Sequence, residues 1–162
     1  MHFDLITIPG KLIYTGDMGT FVFERLPDMF DFFRSDDLKI NLSYWCQKLI
    51  ASECNGRWAS GAKEFCRQKF IRNIVQWIRE SDATGRAEIL SEVRRSVLPL
   101  LEEDDSGMAA MVAVHEFRHN GFVFTDFFDT DPTQYTTRFV WCSYALAWGI
   151  EQYDKAHPEP KP

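Results

Sequence analysis

The first 24 residues alternate β-prone runs with turn residues: 3–8, then Pro9-Gly10, then 11–15, then Gly16-Asp17-Met18-Gly19, then 20–24. This pattern predicts two or three antiparallel strands. Pro9 presets φ for the second position of a type II turn, and Gly10 supplies the positive φ of the third. Gly16 and Gly19 give the second turn the same freedom.

From residue 27 onward the apolar spacing becomes helical. Pro27 and Asp28 favour a helix start, and Met29, Phe30, Phe32 and Phe33 follow at helical intervals. After a polar stretch over 34–39, Asn41 is placed to cap a second helix whose Trp45, Cys46, Leu49 and Ile50 form one face, ending at a loop around Asn55-Gly56. Residues 64–80 carry Cys66, Phe70, Ile71, Ile74, Val75 and Ile78 in the clearest amphipathic pattern of the chain. Residues 86–101 predict a further helix bent or shortened by Pro99, and the acidic run 102–105 reads as a solvated linker.

Ser106 is placed to cap the next helix. On it Met108, Met111, Val112, His115 and His119 share a face, and Ala109, Ala110 and Val114 make the other sides apolar, so a buried helix is expected. Asn120-Gly121 marks its stop. Residues 122–128 read as a short strand or extended loop, 129–134 as a loop, and 137–153 as a last helix rich in Trp and Tyr. The expected fold class is α+β, with a small N-terminal antiparallel β-sheet packed on about five or six α-helices. No repeat or boundary interrupts the pattern, so residues 1–155 are expected to form a single globular domain, with 156–162 a flexible tail.

Composition narrows the function. The chain has 162 residues, 45% of them hydrophobic and 15% aromatic, including 14 Phe and 5 Trp, which suits one core built on large rings. A formal net charge of −6 argues against direct nucleic-acid binding through a basic surface. Cys46, Cys54, Cys66 and Cys142 lack C-x-x-C spacing and fit reduced thiols. No apolar run is long enough to span a membrane and no secretory signal precedes the first strand, so a soluble cytoplasmic protein is expected.

One string carries candidate chemistry. His115-Glu116-Phe117-Arg118-His119 reads H-E-x-x-H, which on a helix puts two imidazoles on one face to bind zinc and places Glu116 to take a proton from metal-bound water. A third ligand would come from Asp126, Asp129, Asp131 or Glu151, none of which sits in a selecting motif. Arg118 and the glycine two residues past His119 depart from the peptidase pattern, and the plainer reading makes both histidines partly buried side chains bonded locally. Gly16-Asp17-Met18-Gly19 lacks the Lys and Ser/Thr of a phosphate loop, so Asp17 reads as a turn residue. The acidic run and Asp126, Asp129 and Asp131 read as solvated surface before they read as a mimic of nucleic-acid phosphates. No G-x-S-x-G and no sequence-nominated Cys-His dyad is present.

The stretch His2-Phe3-Asp4-Leu5-Ile6-Thr7, Pro9-Gly10, then Tyr14 through Gly16-Asp17-Met18-Gly19-Thr20-Phe21-Val22-Phe23 to Leu26, then Asp28-Met29-Phe30-Asp31-Phe32-Phe33-Arg34, resembles a family of small proteins encoded by phages and prophages. The likeness continues at Ile40-Asn41, Tyr44-Trp45 and Lys48. It returns at Phe139-Val140-Trp141-Cys142, Tyr144-Ala145-Leu146, Trp148-Gly149-Ile150 and Gln152-Tyr153-Asp154. The resemblance implies a context, a phage-type accessory protein in a bacterial cytoplasm, and brings no catalytic residues with it. The H-E-x-x-H string lies outside its defining segments. The expected function is therefore a non-catalytic module that binds a host or phage protein without a cofactor, for instance to inhibit a nucleic-acid-processing or defence complex. The rival expectation is a zinc-dependent metallohydrolase using His115, Glu116 and His119.

Overall fold

A computed structural model describes residues 1–34, 38–53 and 61–158. Cys54, the expected Asn55-Gly56 loop, part of the polar stretch after Arg34 and the last four residues of the expected tail lie outside the described residues. Where the sequence marks no boundary, the backbone divides into two compact units: residues 1–63 with 135–162, and residues 64–134 between them in the chain. The fold class is α+β.

In the first unit, β1 (Phe3–Ile8), β2 (Lys11–Gly16), β3 (Gly19–Glu24) and β4 (Leu49–Ser52) form a four-stranded sheet in the order β1-β2-β3-β4, every pair antiparallel. The first turn behaves as its residues predict, since Gly10 sits at φ +84° beside Pro9. The second places Asp17 and Met18 between the paired Gly16 and Gly19, the latter at φ +94°. Because side chains alternate across a strand, Leu12, Tyr14, Phe21 and Phe23 all fall on one face, and all are buried.

That face is covered by α7 (Thr137–Ala156), α1 (Met29–Phe33) and α2 (Leu42–Cys46), whose Phe139, Cys142, Leu146, Ile150, Met29, Phe33 and Trp45 complete the core. The rings interlock: Phe33 meets Phe23 edge-on at 5.0 Å and Trp45 at 4.8 Å, and Phe21 meets Phe139 at 5.7 Å. Burying each such side chain contributes about 1.5–3 kcal/mol relative to exposure. Asn41 caps α2 as the sequence predicts, its side chain accepting from Tyr44 N–H (3.0 Å), and at the expected start of α1 the Asp28 carboxylate acts as the cap, accepting from Phe30 N–H (2.9 Å). Leu49 and Ile50 depart from the expected helix. The backbone leaves α2 at Gln47, and Leu49–Ser52 pairs with β3 as an edge strand, with a register shift between Val22 and Phe23.

The second unit contains α3 (Arg67–Glu80), α4 (Arg86–Ser96), α5 (Leu100–Glu103) and α6 (Met108–Glu116). Two short strands, β6 (Arg118–His119) and β7 (Phe122–Val123), form a hairpin, and Phe127–Asp129 is a 3-10 turn. Lys63–Phe65 (β5) pairs with Thr133–Tyr135 (β8), so the expected helix over 64–80 begins three residues later and the expected loop over 129–134 ends in a strand. The single helix expected over 86–101 is two, because Pro99 has no N–H to continue the ladder and instead opens α5. Phe70, Ile74 and Ile78 of α3, Ile89 and Val93 of α4, and Ala110, Met111 and Val114 of α6 close on Phe117, Phe124 and Phe127 in a core of their own.

Candidate functional site

The H-E-x-x-H string ends up on two different elements. Ala110, Met111 and Val114 anchor α6 inward, but the helix stops at Glu116, where Phe117 turns to an extended conformation (φ −60°, ψ 129°) and buries its ring against Phe122 and Phe124. Arg118 closes the helix end by donating to the carbonyls of His115 (2.8 Å) and Phe117 (2.7 Å). Asn120 (φ 49°) and Gly121 (φ 79°) then make the positive-φ pair of a tight hairpin between β6 and β7.

Asn120-Gly121 thus acts as a hairpin turn instead of the expected helix stop, and His119 belongs to a strand. The four-residue spacing of His115 and His119 has lost the helical meaning on which a shared zinc site rested. His119 is half-buried, with Nε2 3.3 Å from the Asn120 amide nitrogen, and Glu116 is exposed. Among the described residues no three His, Cys, Asp or Glu side chains gather around one point as metal ligands.

His115 does belong to a recognisable feature. It is exposed on α6, and its ring lies 5.1 Å from that of Phe128. Met108, Val112 and His115 recur at helical spacing on the outward side of α6, with Met108 51% and Val112 42% exposed. This corrects the expectation of a helix buried all round. Phe128, 50% exposed, extends the stripe from the neighbouring 3-10 turn. An outward helical face usually carries charged or polar side chains, and here it is Met, Ala and Val until His115 and Glu116. Exposed Glu116, Asp126 and Asp129 adjoin its members in sequence, exposed Arg118 reaches the His115 carbonyl, and acidic residues outnumber basic ones across the unit.

The local chemistry holds this stripe in place. Gly107 stands at φ +69° directly before α6, where an added Cβ would lie 2.3 Å from the Phe65 ring. The Asp104 carboxylate accepts from the Ser106 hydroxyl (2.5 Å) and from the backbone N–H groups of Ser106 (2.9 Å) and Met108 (3.1 Å). These bonds, the hydroxyl first, hold its carboxyl below the usual carboxylate range. The helix therefore starts on Gly107 with Asp104 as the principal acceptor, and Ser106 assists by accepting from Met108 N–H at 3.2 Å. At the far end Asp126 adopts φ 54°, a left-handed conformation that Asp tolerates better than most residues. It sets up the turn that buries Phe127 and leaves Phe128 outside. The Met-Val part of the stripe was legible as a helical face, whereas Phe128 had no periodic signal to mark it.

The Gly16-Asp17-Met18-Gly19 segment lies in the first unit and is occupied with its own architecture. The Asp17 side chain accepts from His2 N–H at 2.8 Å while the Asp17 N–H donates to the His2 carbonyl at 3.1 Å. A Cβ on Gly16 would come within 2.4 Å of that carbonyl oxygen. The segment therefore joins β2 to β3 and pins the entry of β1. No helix is long and apolar enough to cross a membrane among the described residues. Compared with known proteins, the chain matches no family model, no curated protein and no solved structure.

Proposed function

We propose that this chain is a phage- or prophage-type accessory protein that works as a non-catalytic binding module in a bacterial cytoplasm. It docks on a host or phage protein, such as a component of a nucleic-acid-processing or defence complex, through the outward face of α6. The observation that carries this reading is the stripe Met108, Val112, His115 and Phe128, which leaves large apolar groups in water on an otherwise folded unit. Contiguous apolar surface with a polar rim marks interaction sites more often than isolated exposed residues do. The exposed residues adjoining it in sequence are mainly acidic, so the complementary partner surface is an apolar patch flanked by Lys and Arg.

The test is affinity capture from bacterial lysates with the wild-type chain and with the double variant Val112→Asp, Phe128→Ala. The expected result is one protein retained by the wild type and lost by the variant, with thermal stability unchanged because both positions are exposed. Retention of the same protein by the variant, or no retained protein across several hosts, overturns the reading.

A further inference from the structure

The order β1-β2-β3-β4 leaves the sheet with two edges that are protected very differently. β4 is four residues long, and its pairing with β3 is interrupted by a register shift, both of which discourage a further strand. β1 is six residues long, runs in unbroken register with β2, and carries no Lys, no Pro and no bulge between Phe3 and Ile8. Among the described residues no strand pairs with its outer side.

The ladder parity says which backbone groups are free there. Hydrogen-bonded and non-bonded pairs alternate in an antiparallel ladder. The Asp17 N–H donates to the His2 carbonyl one pair beyond Phe3↔Gly16, so the pairs Asp4↔Thr15, Ile6↔Ile13 and Ile8↔Lys11 share the bonded parity. Phe3, Leu5 and Thr7 therefore turn their N–H and C=O groups outward. These three positions are symmetric about Leu5. A second β1 laid antiparallel with Leu5 opposite Leu5 pairs Phe3 with Thr7 on either side, so three residue pairs exchange both of their bonds. Asp4 then stands opposite Ile6, and no like charges meet. Centring the pair on Ile6 would use amides already bonded to β2.

The surface beside this edge fits an added strand. Where β1 meets α7, a cleft of about 380 Å³ is lined by Phe3, Leu5, Phe30, Trp148, Gly149 and Tyr153 among others. Trp148 is 50% exposed and Tyr153 48% exposed, although Phe3 and Trp148 already meet edge-on at 6.2 Å. Tyr144, one turn before Trp148, is 53% exposed. Trp148 and Tyr153 of α7 thus stay half-exposed in a cleft beside the edge strand, where a further strand would cover them.

We infer that β1 is a self-association edge, and that two copies of this chain join through antiparallel β1–β1 pairing centred on Leu5 to make one continuous eight-stranded sheet. The interface is isologous and closes on itself, as two-fold assemblies do. This is a different surface from the α6 stripe and stands independently of it.

Sedimentation analysis of the full chain over a concentration series, with amide hydrogen exchange on the same samples, tests it. The wild type is expected at twice 18.9 kDa, with the Phe3 and Leu5 amides as slow as those of Asp4, Ile6 and Ile8. Thr7→Pro removes an outward N–H and keeps the backbone bonds between β1 and β2, losing there only the long bond of the Thr7 hydroxyl to the Lys11 carbonyl (3.4 Å). It is expected to give a monomer in which Phe3 and Leu5 exchange fast while Asp4, Ile6 and Ile8 stay slow. A wild type that stays monomeric, or a dimer that persists in Thr7→Pro, overturns the inference. Should Thr7→Pro not fold, dilution of the wild type decides: protection of Phe3 and Leu5 that does not fall with dimer content overturns it equally.

Discussion

Tyr14 carries a polar group into the core of the first unit. It lies under the sheet at 0% exposure, stacked on Phe3 at 5.5 Å, and its hydroxyl has no hydrogen-bond partner among the described residues. A buried hydroxyl without a partner costs about 1–3 kcal/mol in desolvation, so Tyr14→Phe is expected to be neutral or stabilising in urea denaturation. Burial, with lesser contributions from Cys142 and Asp17, pushes the Tyr14 phenol from 10.0 up to about 12. A group whose pKa is raised on folding favours the native state below the unfolded value, and that preference is lost as pH rises through the folded one. Tyr14 therefore withdraws stability between pH 10 and about 12. The buried Cys142 thiol, raised in the same direction by burial from 9.0, begins to do so earlier. Denaturation midpoints measured from pH 8 upward should fall in the wild type, and Tyr14→Phe should lessen the fall above pH 10 without abolishing it, because the Cys142 contribution begins near pH 9 and continues through the same range.

At the level of elements, glycines at positive φ stand where α6 begins and where the β6–β7 hairpin turns. Gly121 sits at φ +79° with nothing within 4 Å of a hypothetical Cβ, so Gly121→Ala isolates the conformational cost of the β6–β7 turn, about 1–2 kcal/mol. Gly107→Ala adds a collision with the Phe65 ring to a similar φ and should cost more in the same urea titration. Equal losses would show that the ring moves aside freely. The same contrast explains what the sequence made legible. The hairpins of β1 to β3 were readable to within a residue because Pro9-Gly10 and the Gly16 to Gly19 segment determine their turns locally. So were the helix start at Pro27-Asp28 and the cap at Asn41. Leu49 and Ile50 keep helical spacing from Trp45 and Cys46, and only pairing with β3, distant in the chain, makes them a strand. His119 was misplaced for a related reason: Asn-Gly ends a helix and turns a hairpin equally well, and the burial of Phe117 among phenylalanines from farther along the chain decides between them.

For the whole molecule, the division into two units makes a separate claim on stability. Residues 64–134 hold a core of their own, from Phe70 and Ile74 through Val114 to Phe127. The excised segment is expected to give a helical circular-dichroism spectrum and a cooperative melt, and a broad non-cooperative melt would show that it depends on the rest of the chain. The first unit cannot be cut free so simply. Its sheet is formed by residues near the start, while the helix that covers Leu12, Tyr14, Phe21 and Phe23 begins only at Thr137. On a ribosome adding roughly 5–20 residues per second, the strands emerge about ten seconds before their covering helix. During that interval the apolar face of the sheet has only the short α1 and α2 for native cover, while the intervening unit can already be folding. Shortening the chain anywhere before α7 would prolong that exposure indefinitely, so nascent-chain quality control, more than any lost contact at the binding faces, would determine the fate of truncated products.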